Sequence, residues 1–293
     1  MIFLEINEWS DMDELEFAIE KFGRDPEESE SRRYYFGRLD KDPDAANTPE
    51  ELAELDRIYN EVDRQSLPKS FDARAKGTLL KCLKVPNLKV DFETKSFPNL
   101  GYVTSVKNQG SCGSCEAFGT VAALEASLVK AGAKKDGLDI SEQHAVDCGY
   151  KQNGANGCNG AQPGAYSKFY KKVKKVMHEG HYPYTAKVGT CQAKSYWNPG
   201  AYITNSHIDY QCSDEKIMKM VYKNGAVVVG VDASGNGWGQ YKSGVYDTCK
   251  GKANHAVAIV GWGTEQGIPY WLIKNSWGPG WGDKGFIKVK RGM

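Results

Sequence analysis

The chain has 293 residues, 40% of them hydrophobic and 26% charged, with a formal net charge of +1. That length supports one large domain or two modest ones, and no apolar run approaches the roughly 18 residues a membrane-spanning helix needs. The near-neutral sum hides a split: residues 1–66 hold 20 acidic against 8 basic side chains, and residues 67–293 hold 17 against 30. Such a split predicts either docking of an acidic segment on a basic body or two separately solvated surfaces. The bases are too scattered for a nucleic-acid footprint, and the run at 171–175 reads as the wet face of a helix.

In chain order, residues 1–22 read as a short strand followed by a helix that Asp11 or Asp13 caps and Gly23 ends. No secretory leader is visible at the start, so a sequence beginning downstream of its targeting signal is expected. Residues 24–64 are polar, acidic and broken by Pro26, Pro43 and Pro49, with one short helix at 50–63. Composition changes at 66–74, which sets a domain boundary, and residues 75–101 are irregular and lysine-rich. An amphipathic helix follows near 115–131, presenting Phe118, Val121, Leu124 and Leu128 and stopping at Gly132. Further helices are expected near 141–147 and 165–177, separated by a Gly-rich loop at 148–164. Past 205 the pattern turns to strands at 226–231, 255–262, 269–277 and 285–291. Helices first and strands second predict an α+β chain with two lobes of different kind.

The chain has eight cysteines, more than is usual for a cytosolic protein of this length, which points to an oxidising compartment. Cys112 and Cys115 stand three apart just before the helix at 115–131. Four readings are open: a zinc pair, a redox pair, two halves of structural disulfides, or one bridged cysteine beside a free and activated one. Zinc lacks a second pair with workable spacing, and a redox pair lacks a βαβ setting. For the last reading Cys115 is the free one, because unsatisfied N–H groups and the helix dipole at a helix start favour a thiolate. His255, opening an apolar strand, is the best proton partner, and Asn275 in the Lys274–Gly278 stretch can orient its ring. Gln109 offers an amide to an oxyanion, together with the Cys115 backbone N–H.

At these residues the sequence resembles the papain-like cysteine peptidases of the cathepsin L/B/K type. The blocks that carry the resemblance are Val106–Phe118, Asp139–Cys148, Gly157–Gly160, Asn254–Gly263 and Tyr270–Phe286. The resemblance implies a two-lobe α+β fold, with a helical left lobe, a β-barrel-like right lobe and the active-site cleft between them. It makes Cys115 the nucleophile, His255 the base and acid, Asn275 its orienter and Gln109 the oxyanion donor. Trp277 shields the His–Asn hydrogen bond, and Trp281 packs behind it. Ala161, beside Gly160, stands where the substrate backbone would pair, Gly230, Ala253 and Ala256 would wall the S2 pocket with Gln162 and Pro163 at its rim, and Asn254 and Trp277 would also contact substrate; the small wall residues favour a bulky apolar residue at P2. Implied disulfides are Cys112–Cys158 and Cys148–Cys191, with Cys82–Cys212 suggested from the leftovers and Cys249 orphaned by an early C-terminus.

The resemblance extends to the acidic segment, where Glu5–Asp11 is similar to part of an inhibitory propeptide motif. This divides the chain into a partial propeptide, 1–66, and a C-terminally truncated peptidase domain, 67–293. Implied partners are protein or peptide substrates, the propeptide itself and cystatin-like inhibitors; nucleic acid, membrane, metal and cofactor are not implied, and a monomer in a lysosomal, acidic endosomal or secreted setting is expected. Two departures stand out. Glu116 replaces an aromatic residue, which predicts lost packing and a raised Cys115 pKa. Ala161 replaces a glycine, which is tolerable if its φ stays negative. A weakened homologue that only binds peptides or a partner is the second reading, and an unrelated disulfide-rich extracellular module a third.

Overall fold

The computed structural model describes residues 3–4, 48–62, 67–74, 101–131, 133–193, 206–209, 212–234, 237–248 and 252–292. The helix expected at 11–22, Cys82 and Cys249 lie outside them. Strand β1 is Phe3–Leu4, and helix α1 runs Pro49–Asn60. Helix α1 starts where its sequence directs it to: Thr48 accepts from the Glu51 N–H, the Glu51 carboxylate returns the bond, and Pro49 occupies the first turn, where its missing N–H costs nothing. Strand β2 is Phe71–Asp72.

Three helices follow, α2 at Cys115–Lys130, α3 at Glu142–Cys148 and α4 at Ala165–Val173. The α2 sequence predicts one apolar face, yet Cys115 through Val121 are buried on every side. The reason is position: α2 runs between two cores. Ala117, Val121 and Leu128 join Val146, Tyr166 and Phe169 in a helical core, while Ala126 belongs to the core of the sheet. Gly119 permits the close approach, since a Cβ there would meet Val228 Cγ1 at 3.1 Å. Helix α4 ends earlier than the expected 177, because Lys174 turns left-handed at φ 52° and donates its N–H to Tyr170 O. A helix the strand pattern overlooked, α5 at Asp214–Asn224, is capped by Ser213, carries Asp214 and Glu215 in its first turn and stops at Gly225.

The remaining strands are β3 at Val227–Val231, β4 at Tyr241–Ser243, β5 at Val245–Tyr246, β6 at His255–Glu265, β7 at Ile268–Lys274 and β8 at Phe286–Lys290. The main sheet runs β2-β6-β7-β8-β5, with β3 also paired to β6, and β1 pairs with β4 separately. This corrects the expected β-barrel-like lobe: the sheet is not closed into a barrel. Strands β2 and β3 share the β6 partner at one end of the path and β5 ends the other; no pairing among the described residues joins them. Trp238, Tyr241, Tyr246, Trp277 and Trp281 are almost wholly buried, with Trp281 5.3 Å from Trp277 and 5.9 Å from Trp238 between ring centres.

Two disulfides staple the helical lobe, Cys112–Cys158 and Cys148–Cys191, closing loops of 46 and 43 residues. Cys212 is an exposed free thiol, so the Cys82–Cys212 bridge suggested by parity is not formed. Cysteine parity carries no distance information, which is why it misled here.

Candidate active site

Cys115 is the first residue of α2 and a free, buried thiol. Its N-cap, Ser114, offers no side-chain cap to the helix start. Backbone N–H groups of Ala256, Glu116 and Cys115 itself all favour charge on the sulfur. The Ala256 contact brings the sulfur from the helical lobe against the first residues of β6. Burial nonetheless dominates and, with repulsion from Glu116 added, pushes the thiol up to about 11.

His255, fully buried, opens β6 next to Ala256. Its Nε2 lies 2.7 Å from Asn275 Oδ1. That oxygen also accepts the Ser276 backbone N–H at 2.8 Å. A backbone N–H can only donate, so the atom it meets must be the amide oxygen, and His255 Nε2 must therefore carry a hydrogen. The tautomer is fixed without reference to the rest of the ring, leaving Nδ1 as the nitrogen that gains and loses a proton. Asn275 follows the end of β7, anchored by its N–H to Gly285 O at 3.0 Å. The Trp277 indole lies 4.9 Å from the imidazole, tilted by 34°, and covers it.

Gln109 is fully buried and held at four points. Its Nε2 donates to Cys112 O at 2.8 Å and its Oε1 accepts from the Ser276 hydroxyl at 2.6 Å. Its backbone N–H donates to Ser276 O and its carbonyl accepts from the Tyr184 hydroxyl. Sequence reasoning passed over Ser276 and Tyr184. Ser276 was signalled only by its place between Asn275 and Trp277; Tyr184 had no signal at all, 75 residues from the group it holds.

The residues expected to line substrate fall on two stretches of the chain, 160–163 and 230 with 253–256. Gly113 bridges to Asn159 and donates to Cys158 O, which brings Gly160–Pro163 beside the 112–115 turn. Gly230 pairs with Ala256 across β3 and β6, and Asn254 Oδ1 accepts the Ala233 N–H at 2.9 Å to hold the adjoining turn. Gly230 and Gln162 are exposed, Pro163, Ala253 and Asn254 half-buried, and Ala161 and Ala256 buried. Ala161 is not among the residues with positive φ, so its methyl group is unstrained.

Glu116 does not point to solvent. Its carboxyl accepts from the Gly164 N–H at 2.9 Å and the Tyr166 N–H at 3.2 Å, at the start of α4. Burial raises its pKa to about 7. Behind the site lies a second charged group that the sequence pattern did not reveal. Lys107 Nζ is 3.2 Å from Glu125, 3.0 Å from Glu142 and 2.8 Å from Asp139, and donates to Ile140 O. Burial opposes its charge, but the Glu142 and Glu125 carboxylates outweigh that and hold its pKa above the ordinary lysine range. Lys274 donates to Thr104 at 3.0 Å, and burial lowers it to about 8. A cavity of about 10 Å³ is lined by Lys107, Glu125, Glu142, Lys274, Asn275 and Ser276 and so joins this cluster to the His–Asn pair. Among the described residues no cluster of three or more His, Cys, Asp or Glu has the arrangement of a metal site.

A free thiol at the start of α2 lies by the Ala256 N–H, and the preceding residue, His255, has its tautomer fixed by Asn275. Residues 88–293 match the papain family of cysteine proteases, and the chain belongs to that family. It is 39% identical to vignain of Vigna mungo over 196 residues, covering 66% of this chain and 52% of that protein. With cysteine protease XCP2 of Arabidopsis thaliana it shares 33% identity over 99% of this chain and 68% of the relative. The chain spans about half the length of the first of these. Among solved structures it is similar to the ragweed pollen allergen Amb a 11 cysteine protease in its proform, with TM-score 0.68, 31% identity and coverage of 100% of this chain and 69% of that one. The recombinant stem bromelain precursor matches with TM-score 0.66 and 30% identity over 100% of this chain and 78% of that one.

Proposed function

We propose that the chain is a cysteine endopeptidase in proenzyme form, hydrolysing peptide bonds through Cys115, His255 and Asn275. The observation that carries the reading is the shared acceptor Asn275 Oδ1, which fixes a hydrogen on His255 Nε2 while the neighbouring Ala256 N–H engages the Cys115 sulfur. Burial keeps the sulfur a thiol on its own, so reaction requires proton transfer to His255 Nδ1, giving an imidazolium–thiolate pair.

The thiolate then attacks the peptide carbonyl carbon, and the carbonyl electron pair moves to oxygen. The Cys115 N–H and the second N–H of the Gln109 amide hold that oxyanion. His255 Nδ1–H protonates the leaving amine as the C–N bond breaks, which leaves a thioester. The neutral Nδ1 next removes a proton from water, the resulting hydroxide displaces the thiolate, and the acid product departs. Asn275 keeps the ring aligned through both halves.

In this reading Gly160–Pro163 receives the substrate backbone, and the Gly230, Ala253, Asn254 and Ala256 side accepts a bulky apolar P2 residue. Residues 1–66 act as the propeptide, 67–293 as the peptidase domain, and an acidic compartment is the working environment. Support comes from the proform relatives and from α1, which lies against α5 with Leu55, Ile58 and Tyr59 buried.

The second reading, a weakened homologue, draws on the buried Glu116 and the high thiol pKa. An epoxysuccinyl probe applied at pH 5.5, followed by turnover of Phe-Arg and Leu-Arg amides after acid self-processing, separates the two. Rapid modification of Cys115 with turnover that Cys115→Ala abolishes is the expected result. Slow modification without turnover would leave the weakened homologue standing.

A further inference from the structure

Helix α4 begins at Gly164, a residue with φ +75° and no side chain to cap the helix that follows. A Cβ at Gly164 would meet Ile208 Cδ1 at 2.3 Å, so that position cannot supply its own cap. The first-turn N–H groups therefore need an acceptor from elsewhere. They find it 48 and 50 residues back in the chain: Glu116 Oε1 takes the Gly164 N–H and Oε2 the Tyr166 N–H, while the Thr120 hydroxyl donates to Oε1 at 3.3 Å. Glu116 is 2% exposed and adjoins Cys115 in the first turn of α2. A residue that would be a packing defect if it merely replaced an aromatic ring is instead a cap delivered from another helix.

We propose that Glu116 is a positioning residue: its carboxyl group ties the first turn of the helix bearing Cys115 to the first turn of α4, and thereby holds the Gly160–Gly164 wall in register with the reacting sulfur. The inference rests on the reading of Cys115 as nucleophile and deepens it. Geometry gives the link its reach. Gln162 O accepts the Ala165 N–H, and its N–H donates to Gly154 O, so displacement of the α4 start moves the strip on which a substrate backbone would lie.

The same group sets a second condition. Ionised, it faces the sulfur with like charge and opposes the thiolate. Protonated, it still accepts through its carbonyl oxygen but no longer repels. The titratable groups facing it are Cys115 on α2 and Tyr166 on α4, the latter held neutral mainly by burial. Thr120 contributes a hydroxyl, itself 3.5 Å from the Ser167 hydroxyl, and no lysine, arginine or histidine among the described residues enters its balance. Capping of α4 therefore strengthens, and thiolate formation weakens, as pH rises past the point where Glu116 ionises.

The test uses the full chain, with Glu116→Gln and Glu116→Ala. The rate of iodoacetamide modification at Cys115 is followed from pH 4 to 9 by peptide mapping, alongside amide hydrogen exchange of residues 160–166. Both variants lose the charge, so the pH of half-maximal alkylation falls by about one unit in each. Gln keeps one acceptor oxygen, for Gly164, whereas Ala removes both, so exchange at Gly164 speeds about tenfold or more in Ala and far less in Gln, while exchange at Tyr166, whose acceptor becomes an NH2 in Gln, speeds in both. Glu116→Gln carries the test alone if the alanine variant does not fold. Normal Cys115 reactivity with wild-type pH profile and wild-type exchange in the variants overturns the proposal and leaves the nucleophile reading intact. Modification confined to Cys212 in the wild-type chain, with Cys115 inert at every pH, overturns both.

Discussion

Asn275 Oδ1 receives two hydrogens at once, from His255 Nε2 at 2.7 Å and from the Ser276 backbone at 2.8 Å. The second bond makes the first unambiguous, because it forbids the flipped amide. Replacing Asn275 with Ala removes the acceptor and lets the ring rotate or exchange tautomers. Turnover of a dipeptidyl amide is expected to fall about 100-fold, chiefly in kcat. Asn275→Asp keeps an acceptor but adds a charge that stabilises imidazolium. Its pH–rate profile is expected to shift upward on the side that reports loss of the imidazolium proton.

Ser276 serves the same two groups from the other direction, lending its N–H to Asn275 and its hydroxyl to Gln109. Ser276→Ala leaves Gln109 Oε1 without the hydroxyl and loosens the amide that faces the oxyanion. A loss of about tenfold in kcat with little change in KM is expected, against 10²–10³-fold, roughly, for Gln109→Ala. Equal losses in KM and kcat for Ser276→Ala would instead mean that the hydroxyl supports substrate binding.

Lys107 holds three carboxylates behind the site, two of them buried. Lys107→Met fills similar volume but strands Glu125 and Glu142 without their counter-ion. Breaking a buried cluster this way costs about 3–5 kcal/mol, which in a domain of this size lowers Tm by about 10 °C. Substituting Lys107, Glu125 and Glu142 together with apolar residues is expected to recover most of that loss, as calorimetry can check. An additive triple variant would mean the three act independently.

These features divide by range along the chain. The start of α2, the strand opening at His255 and the Asn275–Trp277 block are local signals, and the structure joins His255 to Asn275 and Trp277. Barrel closure, by contrast, depends on pairings between strands as short as Val245–Tyr246 and Phe71–Asp72, for which alternation gives no partner. Glu116 read as a defect because its acceptor role needs Gly164 and Tyr166, far off in sequence. Lys107 likewise finds partners 18, 32 and 35 residues ahead. Helix α5 was missed for a different reason. Its cap, acidic first turn and terminal glycine were all visible, but the apolar strands around it dominated the pattern.

Burial raises Glu116 from 4.5 to about 7. Between those values the folded chain keeps a proton that the unfolded chain has released, so the Glu116 contribution to stability is fully present below about 4.5 and is lost as pH rises to about 7. His144, lowered to about 4 by burial, works in the opposite sense, but only below its unfolded value of 6.5. Lys274 adds a rise only above about 8. Thermal melts of wild type and Glu116→Gln over this range isolate the Glu116 part: the wild-type Tm should fall relative to the variant's up to about pH 7 and run parallel to it above. A difference that stays constant below pH 7 would contradict the assignment.

Helix α1 meets the body through both charge and apolar contact, and the two can be told apart. Glu61 pairs with Lys223 at the surface, while Tyr59 donates to Asp209 at 2.8 Å and carries Lys216 over its ring at 4.8 Å. Leu55 and Ile58 are buried beside it. The Lys223 bond lowers the Glu61 pKa, so its contribution is present at neutral pH and is lost only as pH falls through that lowered value. An exposed pair contributes little, whereas two buried aliphatic side chains contribute about 1.5–3 kcal/mol each. Leu55→Ala with Ile58→Ala should therefore speed acid self-processing and raise residual activity at pH 7. Glu61→Gln should do neither to a comparable degree. If Glu61→Gln released the segment as readily as the double alanine variant, docking would be electrostatic, and raising the salt concentration at neutral pH would then reproduce the effect.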